Sequence, residues 1–206
     1  MKVLLLNGSP KPKGNTAAAL EEMVKIFHQE GIETEIVQVG NRDIRGCVCC
    51  YHCKQNGKCV FDDLVNETAP KLEQADGLVI ASPVYYAMGN GTLVSFVQRL
   101  FYSTMFDKSM KVGASVAVAR RGGCSATFDQ LNKYFTISNM PIVSSQYWNM
   151  VHGNTPDEVR QDAEGMQTMR TLGTNMAWLL KCIEAGKAAG VTKPERETKV
   201  ATNFIR

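Results

Sequence analysis

Lys2-Val3-Leu4-Leu5-Leu6-Asn7 runs into Gly8-Ser9-Pro10-Lys11-Pro12-Lys13-Gly14, and Asn15-Thr16-Ala17-Ala18-Ala19-Leu20 follows. An apolar run without polar alternation, at 3–6, is a strand buried on both faces. A loop of Gly, Pro and hydroxyl residues cuts it off, and a helical pattern starts at Thr16. A helix leaves its first amides without internal partners, so those of Thr16 and Ala17 favour an anion in front of them. The hydroxyls of Ser9 and Thr16, the amide of Asn15 and the charge of Lys11 or Lys13 can complete a phosphate cradle. The same residues also make an ordinary βα turn with a capping Asn or Thr. The G-x-x-x-x-G-K order of a nucleoside-triphosphate loop is absent, and so is the G-x-G-x-x-G order of a dinucleotide fold. Hydroxyls and Asn suit one terminal monophosphate better than a bridging pyrophosphate.

Strand and helix alternate from there. Residues 16–29 put Leu20, Val24 and Phe27 on one helical face, and 34–39 is the second strand. Asp62 caps a helix through residue 74, and 77–82 is a third, apolar strand. Helices at 92–102 and 128–135 flank strands four and five, at 111–119 and 142–145. Thr155-Pro156-Asp157-Glu158 is a capping box with a first-position proline. Val159, Ala163, Met166, Met169, Gly173, Met176 and Leu180 carry a single long helix onward from it. The alternation predicts an α/β fold, a doubly wound five-stranded parallel sheet in the flavodoxin-like order 2-1-3-4-5. One domain covers 1–188, with a Cys-rich insertion at 45–61 after strand 2, and 189–206 is a polar tail ending in Asn203-Phe204-Ile205-Arg206. Such sheets bind ligands beyond the C-terminal strand ends, where the winding reverses. The loops at 8–16, 83–91 and 120–124 should converge there.

A length of 206 residues fits one domain. With 44% hydrophobic and 21% charged residues the chain is of globular type, and no run approaches the ~18 apolar residues of a membrane span. Met1-Lys2 leads straight into a strand, with no signal-peptide layout, so the expected location is cytoplasmic and no membrane partner is expected. A net charge of +3 without a basic stripe gives no footprint for nucleic acid. Cys47, Cys49, Cys50, Cys53 and Cys59 crowd into one short segment, which in such a chain indicates metal or redox chemistry rather than disulfides.

The second loop, Ser82-Pro83-Val84-Tyr85-Tyr86-Ala87-Met88-Gly89, offers flat aromatics for a ring and a glycine for close approach. The third, Arg120-Arg121-Gly122-Gly123-Cys124, offers backbone amides and positive charge. Together with Asn7-Gly8-Ser9-Pro10, Gly14-Asn15-Thr16 and Phe96-Val97-Gln98-Arg99, these segments make residues 1–150 resemble the NADPH-dependent FMN reductase family of flavodoxin-like proteins. The resemblance implies FMN, held at its phosphate by Ser9, Lys11, Asn15, Thr16 and Ala17. It places the ring against Pro83, Val84, Tyr85, Tyr86 and Gly89 on one side and Arg120, Gly122 and Gly123 on the other. It also implies a homodimer or homotetramer. Two departures stand out. Lys11 replaces an arginine, keeping the charge without the fork, and Gln98 replaces an aspartate that could pair with Arg99.

Cys47-x2-Cys50-x2-Cys53-x5-Cys59 is similar to the cluster motif of the iron–sulfur flavoprotein branch. The likeness implies a 4Fe-4S cluster on these four thiolates, with Cys49 spare, His52 a neighbour, and Gly46 and Gly57 easing the turns. Zinc satisfies the same four ligands, and free thiols are the third reading. The expected activity is that of an FMN-dependent oxidoreductase. Electrons come from NAD(P)H or a ferredoxin-like donor and go to a quinone, an azo or nitro compound, oxygen or a protein. The alternative is a non-enzymatic electron carrier like a flavodoxin. No side chain needs to act as nucleophile or general base, so no catalytic residue is named.

Overall fold

The computed structural model describes residues 1–198, 200–202 and 204; Lys199, Asn203, Ile205 and Arg206 lie outside the described residues. Strands β1 (Lys2–Asn7), β2 (Glu33–Gln38), β3 (Gly77–Tyr85), β5 (Val112–Ala119) and β6 (Met150–His152) form a parallel sheet in the order β2-β1-β3-β5-β6. A two-residue strand, β4 (Met88–Gly89), folds back antiparallel on β3. Without that hairpin strand, the order is the 2-1-3-4-5 winding expected from the sequence, and the switch point lies between β1 and β3.

The pleat decides which helices cover which face. Val3, Leu5, Val79 and Ala81 pack with Leu20, Met23 and Phe27 of α1 (Asn15–Gln29) and with Met169, Leu172 and Met176 of α7 (Ala163–Ala188). Leu4, Leu6, Leu78 and Ile80 pack on the other face. There they meet α3 (Leu64–Gln74), α4 (Gly91–Ser103) and α5 (Cys124–Ile137) through Leu72, Leu93, Phe96 and Leu131. Each such Val, Leu, Ile, Phe or Met side chain contributes about 1.5–3 kcal/mol on burial, so the sheet is a stiff platform for its end loops. No helix among the described residues is long and apolar enough to cross a membrane.

Several local expectations are corrected. Residues 142–145 are not the fifth strand. Ile142 makes an isolated bridge to Gly113, the chain swings out through Tyr147 and Trp148, and it returns as β6 beside Ala117–Ala119. Tyr147-Trp148-Asn149 therefore leads into β6. The long last helix is two helices, α6 (Pro156–Gln161) and α7, broken at Asp162, whose Oδ1 caps Gly165 N–H at 2.9 Å. Asp63, not Asp62, caps α3, accepting from Val65 N–H at 3.1 Å. Helix α5 begins at Cys124, earlier than its apolar period suggests. The short helix α2 (His52–Asn56) lies inside the cysteine segment, where no element was expected. The tail folds back, with Lys193 paired to Asp107 and Arg196 3.5 Å from the same carboxylate.

Candidate functional site

The 8–14 loop is fastened from several sides. Gly8 N–H donates to Ala81 O at 2.8 Å, Gln38 Nε2 donates to Ser9 O at 2.6 Å, and Asn7 Nδ2 holds Gln38 Oε1 at 2.8 Å. A Cβ on Gly40 would stand 2.2 Å from the Gly8 carbonyl oxygen, so the turn after β2 can close on this loop only as glycine. The first bond into α1 is Ala18 N–H to Gly14 O at 3.1 Å, and no side chain caps the helix. The amides of Asn15, Thr16 and Ala17 precede that bond. Thr16 is fully buried, and its Oγ1 has no hydrogen-bond partner among the described residues. An uncapped helix start with an orphaned hydroxyl fits a phosphate. Lys11 lies exposed at the rim. The Asn15 side chain instead donates Nδ2 to Gly153 O at 2.8 Å, tying the loop to the turn after β6 and leaving its backbone amide for an anion.

The second loop is a hairpin rather than an open loop. Strand β3 runs on through Pro83, Val84 and Tyr85, and Val84 and Tyr85 pair with Gly89 and Met88. The turn falls on Tyr86 and Ala87, with φ of 51° and 59°. This is a conformation that favours Gly or Asn, and Tyr86 stands wholly exposed at the tip. Gly89 N–H is fixed by Gln130 Oε1 at 2.8 Å. The third loop touches this hairpin. Gly123 has φ 91°, and a Cβ there would lie 2.8 Å from Val84 Cγ1 and 2.9 Å from the Ala87 Cα. Arg120, Arg121 and Gly122 are exposed beside it, and neither arginine forms an ion pair among the described residues. Cys124 is buried with its thiol pushed up to about 11 by desolvation, which makes it an inert neighbour at neutral pH. The three predicted loops thus come together at one sheet end, joined by the 153 turn, Gln38 and Gly40. Gln38 could have been found as a polar side chain closing a strand, whereas Gly153 carried no such signal. A cavity of about 610 Å³, lined by Met1, Asp76, Lys111 and Cys182, lies at the N-terminal strand ends, the wrong end for this fold's ligands.

Residues 47–61 wrap a second pocket, lined by Cys47, Cys50, Cys53 and Cys59 together with Phe61 and Arg99. Cys49 and His52 are not among its lining residues. The reversals that bring the sulfurs round fall on Cys49 (φ 52°), Tyr51 (φ 57°) and Gly57 (φ 69°), not on Gly46. Cys49 N–H points at Cys47 Sγ, 3.4 Å away. Asn66 brackets Cys59, accepting its N–H at 3.0 Å and donating to its carbonyl at 3.0 Å. Arg99 is only 1% exposed. It donates Nη1 to Asp63 Oδ2 at 2.7 Å, Nη2 to Asp63 Oδ1 at 3.0 Å, and Nη2 and Nε to Cys59 Sγ at 3.1 and 3.4 Å. Burial alone would lower the Arg99 pKa; Asp63 and Cys59 outweigh it and hold the guanidinium above its ordinary value. The pairing that Gln98 cannot supply comes from Asp63. Among the described residues no three His, Cys, Asp or Glu side chains converge closely enough to hold a single ion.

Residues 1–155 match the NADPH-dependent FMN reductase family. An iron–sulfur flavoprotein of Methanocaldococcus jannaschii is 34% identical over 192 residues, covering 89% of this chain and 100% of the relative. The chain belongs to the NADPH-dependent FMN reductase family, in its iron–sulfur flavoprotein branch. An iron–sulfur flavoprotein of Methanosarcina thermophila is 27% identical over 91% of this chain and 99% of its own. Among solved structures, RosB with a bound 8-demethyl-8-formylriboflavin-5'-phosphate intermediate superposes with a TM-score of 0.71 at 18% identity, over 100% of this chain and 92% of that one. An archaeal flavodoxin superposes at 0.61 and 13% identity, over 88% and 99%. These two likenesses carry the fold. Membership makes FMN the cofactor of this fold and flavin redox chemistry its reaction class.

Proposed function

We propose that this chain is an FMN-dependent oxidoreductase taking electrons from NAD(P)H or a ferredoxin-like donor. It passes them to a quinone, an azo or nitro compound, oxygen or a protein acceptor. The unpartnered Thr16 hydroxyl at the uncapped start of α1 is the observation that carries this reading. The amides of Asn15, Thr16 and Ala17, the hydroxyls of Ser9 and Thr16 and the charge of Lys11 would hold the phosphate. The hairpin of Pro83, Val84, Tyr85, Tyr86 and Gly89 and the turn of Arg120, Gly122 and Gly123 would flank the ring. Bound FMN supplies a centre that exchanges hydride or single electrons. The chain would orient that centre, and Arg120 would supply positive charge to offset the negative charge that develops on reduction.

Cys47, Cys50, Cys53 and Cys59 would hold a 4Fe-4S cluster. Their common pocket, with Cys49 left out, supports this. A single zinc would take the same four thiolates at ~2.3 Å from one point, and iron, sulfide and zinc analysis separates the two readings. The exposed Tyr51, Tyr85, Tyr86, Met88 and Tyr102 support a homodimer or homotetramer, and a monomer by light scattering would contradict it. The donor is tested on anaerobically purified protein with NADH, NADPH and a reduced ferredoxin in turn. Turnover of a quinone with any of them is the expected result. Flavin that is reduced without turning over a small acceptor makes the chain an electron carrier instead.

A further inference from the structure

The buried guanidinium beside the cysteine pocket is more than a structural pin. An arginine that is 1% exposed needs its donors satisfied, and its bidentate bond to Asp63 would suffice for charge. Yet Nη2 and Nε both turn to Cys59 Sγ, at 3.1 and 3.4 Å, and no other cysteine lining the pocket receives such a fork among the described residues. Arg99 Cζ lies over the Phe61 ring, 4.9 Å from its centroid, and Arg45 Cζ lies 4.7 Å from the same centroid, which limits how far the fork can swing. Nη1 also donates to Arg45 O at 3.3 Å and Nη2 to Phe61 O at 3.4 Å. Cys59 is thus held at its backbone by Asn66 and at its sulfur by Arg99.

We propose that Arg99 is the positioning residue of the cysteine centre: its N–H fork aims Cys59 Sγ into the pocket and raises the reduction potential of a cluster bound there. The inference rests on the 4Fe-4S reading above. Hydrogen bonds and positive charge at a ligand sulfur favour the reduced, more negative cluster, so removing them lowers its potential. The carboxylate of Asp63 partly offsets that charge, so neutralising Asp63 raises it. The two substitutions therefore move the potential in opposite directions, which general loosening of the loop cannot do. Arg99→Lys keeps a cation but loses the fork. Asp63→Asn keeps an oxygen to cap Val65 N–H. The experiment is a dye-mediated redox titration of anaerobically reconstituted protein, read by low-temperature EPR, with iron, sulfide and FMN content measured on each variant. The expected result is a more negative cluster midpoint in R99K and a more positive one in D63N, with FMN content unchanged. Wild-type protein that takes up no iron and sulfide overturns the cluster reading and this inference with it. A wild-type cluster whose midpoint is matched by R99K, or variants that shift the same way, overturns the inference alone.

Discussion

Residues 8–15 are tied to β2, β3 and the 153 turn by main-chain and amide hydrogen bonds, whereas the cysteine segment joins the fold largely through the side chains of Arg99, Asp63 and Asn66. The 8–14 loop inherits the rigidity of the sheet, because strand ends place it. The cysteine segment has one five-residue helix and left-handed turns at non-glycine residues, so its shape depends on a few polar contacts and on what fills its pocket. The two sites should therefore fail independently and in different ways.

The largest effect expected is at the cysteines. Replacing Cys47, Cys50, Cys53 or Cys59 singly by Ser should abolish iron and sulfide while leaving FMN, whereas Cys49→Ser should keep all three. Metal and flavin analysis checks this, and joint loss of FMN would break the claim of independence. Next, Thr16→Val should weaken FMN by roughly 10- to 150-fold in Kd, since a hydrogen bond to a charged group is worth about 1.5–3 kcal/mol. A fluorescence titration measures this, with iron content held constant. Gly40→Ala should lower stability by about 1–3 kcal/mol in urea denaturation, because its Cβ meets the main chain of Gly8 and Ser9. The smallest effect is at the hairpin tip. Left-handed strain of about 1–3 kcal/mol at Tyr86, less the ~0.5–1 kcal/mol entropy cost of glycine, makes Tyr86→Gly more stable by about 1 kcal/mol. A lower Tm would mean that Tyr86 is held by contacts of its own.

The two regions also differ in how much of them the sequence made legible. Unbroken apolar runs marked β1, β3 and β5, and glycines and hydroxyls marked the loops after them, because buried strands and tight turns restrict residue choice strongly. The edge was harder. Strand β6 has three residues, and 142–145 has the same apolar look but only one bridge. Residue pattern does not tell which of two short apolar stretches wins a sheet edge. The break at Asp162 was hidden because the apolar period runs across it while the caps at Thr155 and Asp162 do not. In the cysteine segment the spacing pointed to the four cysteines that line one pocket. The pairing of Arg99 with Asp63 joins α4 to the start of α3 across 36 residues, and no local period reports a contact between separate elements. A cation in the apolar run Phe96-Val97-Gln98-Arg99-Leu100 was the available signal, and the absence of an acid at Gln98 pointed away from it.

The central claim is that one chain carries two separately built redox sites. It is tested most directly by anaerobic purification followed by quantitation of flavin, iron, sulfide and zinc. The account predicts about one FMN with about four iron and four sulfide per chain. FMN with no iron and freely alkylated cysteines, or with one zinc in place of iron and sulfide, would contradict it.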